Sequence, residues 1–382
     1  MNRIGGMYRE IGLHCRGSER MTTFVDACLT SMTDSAVKVE QRDRMRPRCG
    51  PMLRVLANAK KILVTAHLHP DPDSLASCQA MQYLLQQSLK NATVEIRLKG
   101  QIGGGINSAF TRIMKLDMLP WDDAALAQYD AIVLLDTQPA FSNSPLPANM
   151  MPKVVVDHHR GRGRRAKLSH SDIRINVGAT ASILFSYFME RHLTIPADLA
   201  ATLLYAIETD LAGAAGQQGG LDTIAISSLT LLADTKRYYQ MRYVDLPQSY
   251  YGAFCKAVSN GVRNEDVLIS HVDHIDYSEL PAVMADFLLR CEGVHWSMVS
   301  AIHEGRFVFS LRTQATGKSA GEVARRIVKG LGDAGGHLTK AGGAIPLTDS
   351  TTPADIERMH KTLRRRLLRC LHVDTHRGVK LA

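Results

Sequence analysis

The sequence predicts an α/β fold, in which an N-terminal domain with a mainly parallel sheet flanked by helices is linked to a smaller C-terminal α/β domain. Apolar runs at 61–67, 131–136 and 153–156 are short and rich in branched side chains, which is typical of strands buried on both faces of a parallel sheet. Apolar residues at helical spacing over 74–89 separate the first run from another strand-like run at 93–98. This β-α-β succession predicts right-handed crossovers, with ligands at the carboxyl ends of the strands.

The remainder of the chain continues to alternate between helical and strand patterns. The helix over 74–89 is expected to have Asp73 or Ser74 as its N-cap. Further helices are expected at 178–192 and 197–208, and helical patterning extends over 222–260. The C-terminal pattern predicts, in order, a strand at 267–272, a helix at 278–290, strands at 294–303 and 306–312, a helix at 319–329 and a glycine-rich turn at 330–343.

These patterns divide the chain into four segments. We expect an extension at 1–50, a first domain at 51–235, a helical linker at 236–262 and a second domain at 263–382, with the active site in the cleft between the two domains. The extension is rich in Arg and Met and shows no sustained period, which predicts poor order. An upstream start codon and a transit peptide are the alternatives for this segment.

The composition fits a globular protein and leaves two interpretations of its charge. The 382 residues include 46 Lys and Arg against 37 Asp and Glu, which gives a formal net charge of +9. Such an excess is typical of proteins with polyanionic partners, and it is also common in proteins that are merely soluble. The seven cysteines form no C-x-x-C pair, which argues against a zinc ribbon and indicates a reducing compartment. Because no apolar run approaches the roughly 20 residues that span a bilayer, and no secretory signal is recognisable, we expect a cytoplasmic protein without a membrane partner.

Side chains of the types that bind metals follow three of the predicted strands. Taken alone, each has an ordinary explanation: a hydrogen-bonded loop histidine, a helix cap, a turn residue or a surface acid. Together they exceed what one catalytic ion can use, whereas two divalent ions that share a carboxylate would use them all. Paired ions of this kind suit phosphoester hydrolysis. The candidate ligands are His67, Asp71, Asp73, Asp136, His158 and, from a later helix, Asp210.

Taken in order, these motifs resemble those of the DHH phosphoesterase superfamily. The elements that carry the resemblance are His67-x-x-Pro-Asp71-x-Asp73, Asp136, Asp157-His158-His159, Thr209-Asp210, and Gly335-Gly336-His337 with Ala341-Gly342-Gly343. The resemblance extends over about 60–370 and is greatest to the two-domain nanoRNases, which are oligoribonucleases. It implies a metal-binding DHH domain at 51–235 and a substrate-binding DHH-associated domain at 263–382.

The resemblance also implies a role for each matching residue. His159 would approach the scissile phosphate or its leaving oxygen, and Asp157 would fix a histidine tautomer. Arg312 and His337 would grip a phosphate of the nucleotide, while Gly335 and Gly336 would let backbone N–H groups approach it. The ions would be Mn²⁺, with Mg²⁺ or Fe²⁺ as alternatives. One ion would be held by His67, Asp71 and Asp136, and the other by Asp73, Asp136, His158 and Asp210, with Asp136 as the bridge.

The function that these expectations favour is a two-metal hydrolase that cleaves short single-stranded RNA to mononucleotides, as an oligoribonuclease and exonuclease. Four alternatives stay open: a phosphatase of 3′-phosphoadenosine 5′-phosphate, a phosphodiesterase of cyclic or linear dinucleotides, an exopolyphosphatase-like enzyme, and a catalytically silent RNA-binding protein. A homodimer is also left open.

Overall fold

The computed structural model describes residues 48–100, 102, 105–161, 168–211, 219–336, 338–374 and 378–382. The predicted extension at 1–50 falls almost wholly outside these residues. In the described part, the chain divides into two compact units. The first comprises the described residues of 48–100, 114–210 and 219–239, and the second comprises the described residues of 101–113, residue 211 and the described residues of 240–382.

The first unit contains a five-stranded sheet in which all neighbouring strands are parallel. Its strands are β1 (Lys61–Ala66), β2 (Thr93–Ile96), β3 (Ala131–Leu135), β4 (Val154–Asp157) and β5 (His170–Ile173). Their order across the sheet is β2-β1-β3-β4-β5. Every residue of β3 and β4 is buried, as the continuous apolar runs predict for central strands.

Helices also lie in the described chain between residues 48 and 242, and residues 105–113 among them belong to the second unit. They are α1 (Cys49–Leu56), α2 (Pro72–Ser88), α3 (Gly105–Met114), α4 (Thr180–Glu190), α5 (Ala197–Leu211), α6 (Gly220–Leu232) and α7 (Thr235–Arg242). Helix α2 packs against β1, β2 and α4 through a buried face that includes Leu75, Met81 and Leu85. The parallel sheet and its helices confirm the predicted α/β class.

The start of helix α2 corrects one expectation. Its N-cap is Asp71, not Asp73 or Ser74, because Oδ1 of Asp71 accepts a hydrogen bond from the backbone N–H of Ser74 at 3.0 Å. Pro72 occupies the first helical position, where its missing N–H is harmless and its fixed φ is suitable. Asp73 therefore has its carboxylate free for contacts with another part of the chain.

The second unit is built on a seven-stranded mixed sheet. Its strands are β6 (Val262–Asn264), β7 (Val267–His274), β8 (Trp296–His303), β9 (Arg306–Thr313), β10 (Asp333–Gly336), β11 (Lys340–Pro346) and β12 (Val379–Lys380). The order is β10-β11-β9-β8-β7-β6-β12, in which only β7 and β8 pair in parallel.

Both faces of this second sheet are covered by helices of the same unit. The helices are α8 (Gln248–Ser259), α9 (Leu280–Leu288), α10 (Ala320–Val328) and α11 (Pro353–Leu371). Met298 points into the core shared with α10 and α11, and the next residue, Val299, points into the core shared with α8 and α9. This alternation follows the two-residue period of a strand. In the described ranges, no helix combines the length and the apolar character that crossing a bilayer requires.

The glycine-rich turn predicted at 330–343 was wrong, because most of this segment forms the paired strands β10 and β11. A Cβ atom at Gly343 would lie 2.6 Å from the ring of Phe309, and one at Gly336 would lie 2.4 Å from the backbone oxygen of Lys340. Gly336 also has a φ of +148°, which side chains rarely allow. These two glycines therefore permit close approach between strands.

Candidate metal centre

The candidate ligands lie where the chain leaves the carboxyl ends of the central strands. β1 and β3 are neighbours, but the chain continues from β1 to β2 on one side and from β3 to β4 on the other. A crevice therefore opens between their carboxyl ends, which is where open α/β sheets bind ligands. His67 directly follows β1, Asp136 directly follows β3, and Asp157 is the last residue of β4.

The structure brings all six predicted ligands together in overlapping groups of three. Within each group, one potential ligand atom from each residue lies within 4.8 Å of the others. Asp136 belongs to two of the groups and His158 also belongs to two. The groups are His67 with Asp71 and Asp136; Asp73 with His158 and Asp210; and Asp136 with His158 and His159.

The two carboxylate oxygens of Asp136 face imidazoles on opposite sides. Oδ2 lies 3.5 Å from Nε2 of His67, and Oδ1 lies 3.4 Å from Nε2 of His158. Nε2 of His158 also lies 3.6 Å from Oδ2 of Asp210. These separations are longer than a good hydrogen bond of about 3 Å, but they suit atoms that each lie about 2.1 Å from a shared ion. The residues present therefore fit divalent ions on both sides of Asp136.

The backbone of Asp136 adopts a conformation that is unusual for a residue other than glycine. Its φ is +57°, in the left-handed region, which aspartate tolerates better than most residues. The side chain is only 2% exposed and is held by two hydroxyl groups. Oγ of Ser74 donates to Oδ2 at 2.7 Å, and Oγ1 of Thr180 donates to Oδ1 at 2.9 Å. These contacts fix the carboxylate between the two imidazoles.

Asp73 joins helix α2 to the beginning of helix α4. Its Oδ2 accepts from the backbone N–H of Thr180 at 2.7 Å, and its Oδ1 accepts from that of Ala181 at 2.8 Å. The N-cap residue of α4 is Ala179, whose side chain cannot accept a hydrogen bond. Since each carboxylate oxygen has two lone pairs, Asp73 can bind these N–H groups and an ion together.

Backbone carbonyl groups orient the two histidines that face Asp136. Nδ1 of His67 lies 2.8 Å from the oxygen of Leu68, and Nδ1 of His158 lies 3.2 Å from the oxygen of Val177. With Nδ1 as the donor in each contact, Nε2 of both rings is directed toward the carboxylates. Such contacts commonly fix the tautomer of histidines that bind metals.

Burial and neighbouring charges move the two buried carboxyl groups in opposite directions. Burial and the charges of Asp136 and Asp210 raise the pKa of Asp73 well above its ordinary value. Burial also tends to raise the pKa of Asp136, but contacts with His158 and His67 bring it well below the ordinary value. Asp136 is therefore the carboxylate that stays ionised in the metal-free protein.

The same contacts favour the protonated forms of the two histidines. Burial tends to lower the pKa of His67, but Asp136 and the charge of Asp71 raise it to about 10. Burial likewise opposes protonation of His158, whose pKa is nevertheless raised well above its ordinary value, mainly by Asp136. In the metal-free protein, protons therefore occupy the positions that cations would take.

His159 is oriented by Asp157, which is fully buried. Nδ1 of His159 donates to Oδ1 of Asp157 at 2.6 Å and also lies 3.6 Å from Oδ1 of Asp136. The ring edge also packs against Phe141, with ring centroids 6.4 Å apart. Gln138 binds the other oxygen of Asp157, and a Cβ atom at Gly161 would lie 2.4 Å from Oε1 of Gln138. The contact between Asp157 and Nδ1 of His159 is the one that the predicted tautomer role requires, and the roles of both residues stay predictions.

The predicted substrate residues belong to the second unit. Nε of Arg312 donates to Oδ1 of Asp286 at 2.8 Å, and Nη1 donates to Oγ of Ser310 at 2.6 Å. A phosphate bound through these two nitrogens would have to share them with Asp286 and Ser310. Gly335 has no atom within 4 Å of the position of a Cβ, while His337 lies outside the described residues. The phosphate-binding roles of these residues stay predictions.

Three residues around the metal centre were not predicted as part of it. Ser74 was considered only as a helix cap, and Thr180 and Gln138 were not singled out. The poor capping ability of Ala179 is a signal that the N–H groups of α4 need a distant acceptor. The contact between Thr180 and Asp136 joins residues 44 positions apart, so no local pattern marks it.

Comparison with known proteins agrees with this geometry. Residues 61–207 match the model of the DHH family, N-terminal domain. An uncharacterized protein of Methanocaldococcus jannaschii is 29% identical over 302 residues, which cover 78% of this chain and 61% of that protein. A protein of Bacillus cereus named probable manganese-dependent inorganic pyrophosphatase is 29% identical over 155 residues, which cover 40% of this chain and 48% of that protein.

A solved structure shows the same fold. It is described as an exopolyphosphatase-related protein from Bacteroides fragilis, and it matches with a TM-score of 0.64 and 17% identity over 85% of this chain and 96% of that one. The chain spans about three fifths of the length of the M. jannaschii relative and about half that of the B. cereus relative. The family match contains all the candidate ligands except Asp210, which follows it by three residues. The part of the chain that contains all the candidate ligands except Asp210 is therefore similar to the N-terminal domain of the DHH family.

Proposed function

We propose that the chain is a metal-dependent phosphoester hydrolase that cleaves short single-stranded RNA to mononucleotides. The observation that carries this proposal is the position of Asp136, whose two oxygens face His67 and His158 on opposite sides. A carboxylate in this position is suited to bridge two divalent ions, as in enzymes that hydrolyse phosphoesters. The mixture of imidazole and carboxylate groups suits Mn²⁺, and the name of the B. cereus relative includes that metal.

Six side chains would hold the two ions. His67 and Asp71 would bind one, Asp73, His158 and Asp210 would bind the other, and Asp136 would bind both. When bound, the ions would polarise the phosphoester and neutralise the negative charge that builds up during hydrolysis.

The remaining residues would orient the substrate. Asp157 accepts a hydrogen bond from Nδ1 of His159, and Nε2 of this ring would approach the scissile phosphate or its leaving oxygen. Arg312 would contribute a positive charge to phosphate binding, with Asp286 fixing the plane of its guanidinium.

A second candidate is the hydrolysis of a phosphoanhydride such as pyrophosphate or polyphosphate. The names of the B. cereus relative and of the B. fragilis structure favour this candidate. The chemistry at the metal centre would be the same, so the two candidates differ in what the second unit must recognise. 3′-Phosphoadenosine 5′-phosphate, which is a phosphomonoester, and the dinucleotides, which are phosphodiesters like RNA, remain further alternatives.

A comparison of substrates with Mn²⁺ tests the proposal. The full chain would be assayed on di- to pentaribonucleotides, linear and cyclic dinucleotides, 3′-phosphoadenosine 5′-phosphate, polyphosphate and pyrophosphate. We expect the highest kcat/KM on the oligoribonucleotides, with mononucleotides as products. Faster turnover of polyphosphate or pyrophosphate would instead establish the second candidate, and turnover of any substrate excludes a catalytically silent binding protein.

A matched pair of variants tests the site itself. Asp136→Ala removes the shared carboxylate and should reduce kcat/KM by at least about a thousandfold. Asp117→Ala removes an exposed carboxylate of the same unit and should leave activity unchanged. Retained activity in Asp136→Ala would reject the shared-ligand assignment.

A further inference from the structure

The outer face of helix α11 carries a line of cations that the metal centre does not use. Leu363, Leu367 and Leu368 of this helix are buried against the second sheet. Exposed basic side chains recur at three- and four-residue spacing on the opposite side. At about 1.5 Å per residue, they form a line roughly 16 Å long. These residues, which we call the α11 cation stripe, are Arg358, Lys361, Arg365 and Arg369.

Acidic side chains neutralise only one end of the α11 cation stripe. Arg358 forms an ion pair with Asp355, and Lys361 forms one with Glu357 at 3.1 Å. The sequence contains no Asp or Glu between positions 358 and 373. In the part of the chain that the structure describes, Arg365 and Arg369 form no ion pair. The C-terminal half of the stripe is therefore an uncompensated positive surface.

The other two arginines of this helix have structural contacts, in contrast to those of the stripe. Arg364 donates to Oδ1 of Asn264 at 3.0 Å. Nη1 of Arg366 donates to the backbone oxygen of Ile327 at 2.7 Å and to that of Lys329 at 2.9 Å. These contacts explain the presence of Arg364 and Arg366 by packing, whereas packing does not explain Arg365 and Arg369.

We propose that the α11 cation stripe binds the phosphate backbone of a single-stranded nucleic acid. Residues four apart on a helix lie about 6 Å from each other, so Lys361, Arg365 and Arg369 present a regular row of charges to a polyanion. Guanidinium groups can bind phosphate oxygens through two parallel hydrogen bonds. The arginines of the stripe can therefore contact phosphate groups directly, in addition to attracting them through charge. This proposal rests on the proposed function in one respect, which is the choice of a single-stranded nucleic acid as the polyanion.

The arrangement of apolar residues on α11 favours a nucleic acid over an anionic membrane. A helix that lies on a membrane inserts an apolar face between the lipids. The apolar face of α11 is already occupied, because Leu363 and Leu367 are fully buried within the second unit. The stripe itself contains no apolar or aromatic side chain that could insert between lipids.

Binding of a labelled oligoribonucleotide of about twelve nucleotides, measured by fluorescence anisotropy without divalent metal, tests this proposal. The full chain would be compared with Arg365→Glu/Arg369→Glu and with the milder Arg365→Gln/Arg369→Gln. The matched control is Arg290→Glu/Arg306→Glu, which makes the same charge change at exposed positions of the same unit. Circular dichroism of each protein verifies folding.

The stripe variants should weaken binding at least about tenfold at low salt, and the control should change it less than about twofold. The slope of log Kd against log salt should fall by about 1.4, or 0.7 for each lost phosphate contact to a single strand. Equal binding by stripe and control variants would overturn the proposal. So would a stripe-dependent affinity for anionic phospholipid vesicles with unchanged affinity for RNA.

Failure of this proposal is distinguishable from failure of the proposed function. If the chain prefers pyrophosphate but its RNA affinity still depends on the stripe, the proposed substrate is wrong and the binding surface stands. If the chain hydrolyses dinucleotides and the stripe variants bind RNA as the wild type does, only the binding surface is wrong.

Discussion

Gln138 and Asp157 are joined by a hydrogen bond of 2.7 Å, in which Nε2 of Gln138 donates to Oδ2 of Asp157. The same nitrogen donates to the backbone oxygen of His159 at 2.9 Å. The other oxygen of Asp157 accepts from the ring of His159. One amide group therefore fixes both the carboxylate that orients the imidazole and the backbone that carries it.

Gln138→Ala should lower kcat by about 10- to 100-fold, because the His159 ring loses part of its support. Since Gln138 is not a candidate ligand, the Mn²⁺ affinity should change by less than about threefold. Steady-state kinetics and metal titration check the two quantities separately. Gln82→Ala, which removes an amide bound to the backbone oxygen of Val94, is the matched control and should behave as the wild type. Unchanged kcat in Gln138→Ala would show that His159 needs no such support.

The positive φ of Asp136 predicts a difference between two inactive variants. Asp136→Ala and Asp136→Gly both remove the carboxylate, but only glycine adopts a φ of +57° without a steric cost. The free energy of unfolding of the metal-free glycine variant should exceed that of the alanine variant by about 1 kcal/mol. Chemical denaturation of both proteins measures this difference. Equal stabilities would mean that the backbone relaxes when the side chain is removed.

The central strands could be predicted from sequence because burial on both faces leaves continuous apolar runs. Strand β5 was not predicted, because its sequence, His-Ser-Asp-Ile, is mostly polar. Its Asp172 is nevertheless buried, since Arg174 donates two hydrogen bonds to one of its oxygens at 3.1 and 2.7 Å and Tyr187 donates to the same oxygen at 2.9 Å. A partner supplied by a later helix is not visible in a local pattern.

At the metal centre, too, some features could be predicted from nearby sequence, and others depend on residues that are far apart in the chain. The candidate ligands were predictable because His67 and Asp136 each follow a recognisable strand. The contacts of Asp73 with Thr180 and Ala181 join residues more than 100 positions apart, and nothing near Asp73 indicates them. The second unit shows the converse error, in which glycines that allow close strand pairing, such as Gly343, were interpreted as a turn.

Metal affinity should keep rising with pH well above the ordinary range of histidine titration. The carboxylates of Asp136 and Asp71 help raise the pKa of His67 to about 10 in the metal-free protein, after burial has opposed this shift. An ion that binds Nε2 must displace that proton. The affinity for the ion should therefore rise by up to about tenfold per pH unit below pH 10 for each proton released. Titration calorimetry at pH 7.5 in buffers of different ionisation enthalpy should show net proton release.

Substitutions at two separate histidines test whether His67 is a source of the released protons. His67→Asn should release about one proton fewer than the wild type at the same pH. His192→Gln, a change at an exposed histidine of the same unit, should leave the release unaltered. Mn²⁺ binding without any proton release would contradict ligation through Nε2 of His67.

His360, a histidine of the second unit, should make the stability of this unit sensitive to acid. Nδ1 of His360, on α11, lies 3.1 Å from Oγ of Ser300, which also lies 3.0 Å from Nδ1 of His271. Burial, together with the charges of His271, Arg364 and Lys361, lowers the pKa of His360 to about 4 against the opposing charge of Glu357. Burial also lowers the pKa of His271. Both rings are therefore neutral in the folded protein at pH 7.

Because the pKa of His360 is lower in the folded chain than in the unfolded one, its contribution to stability is complete above about pH 6.5 and is lost as the pH falls toward 4. His360→Gln cannot take up this proton, so its free energy of unfolding should fall by about 2 kcal/mol less than that of the wild type over this interval. Denaturant titrations at several pH values measure the difference. His295→Gln, at a largely exposed histidine of the same unit, should follow the wild type. Parallel curves for His360→Gln and the wild type would show that the acid sensitivity of the protein arises elsewhere.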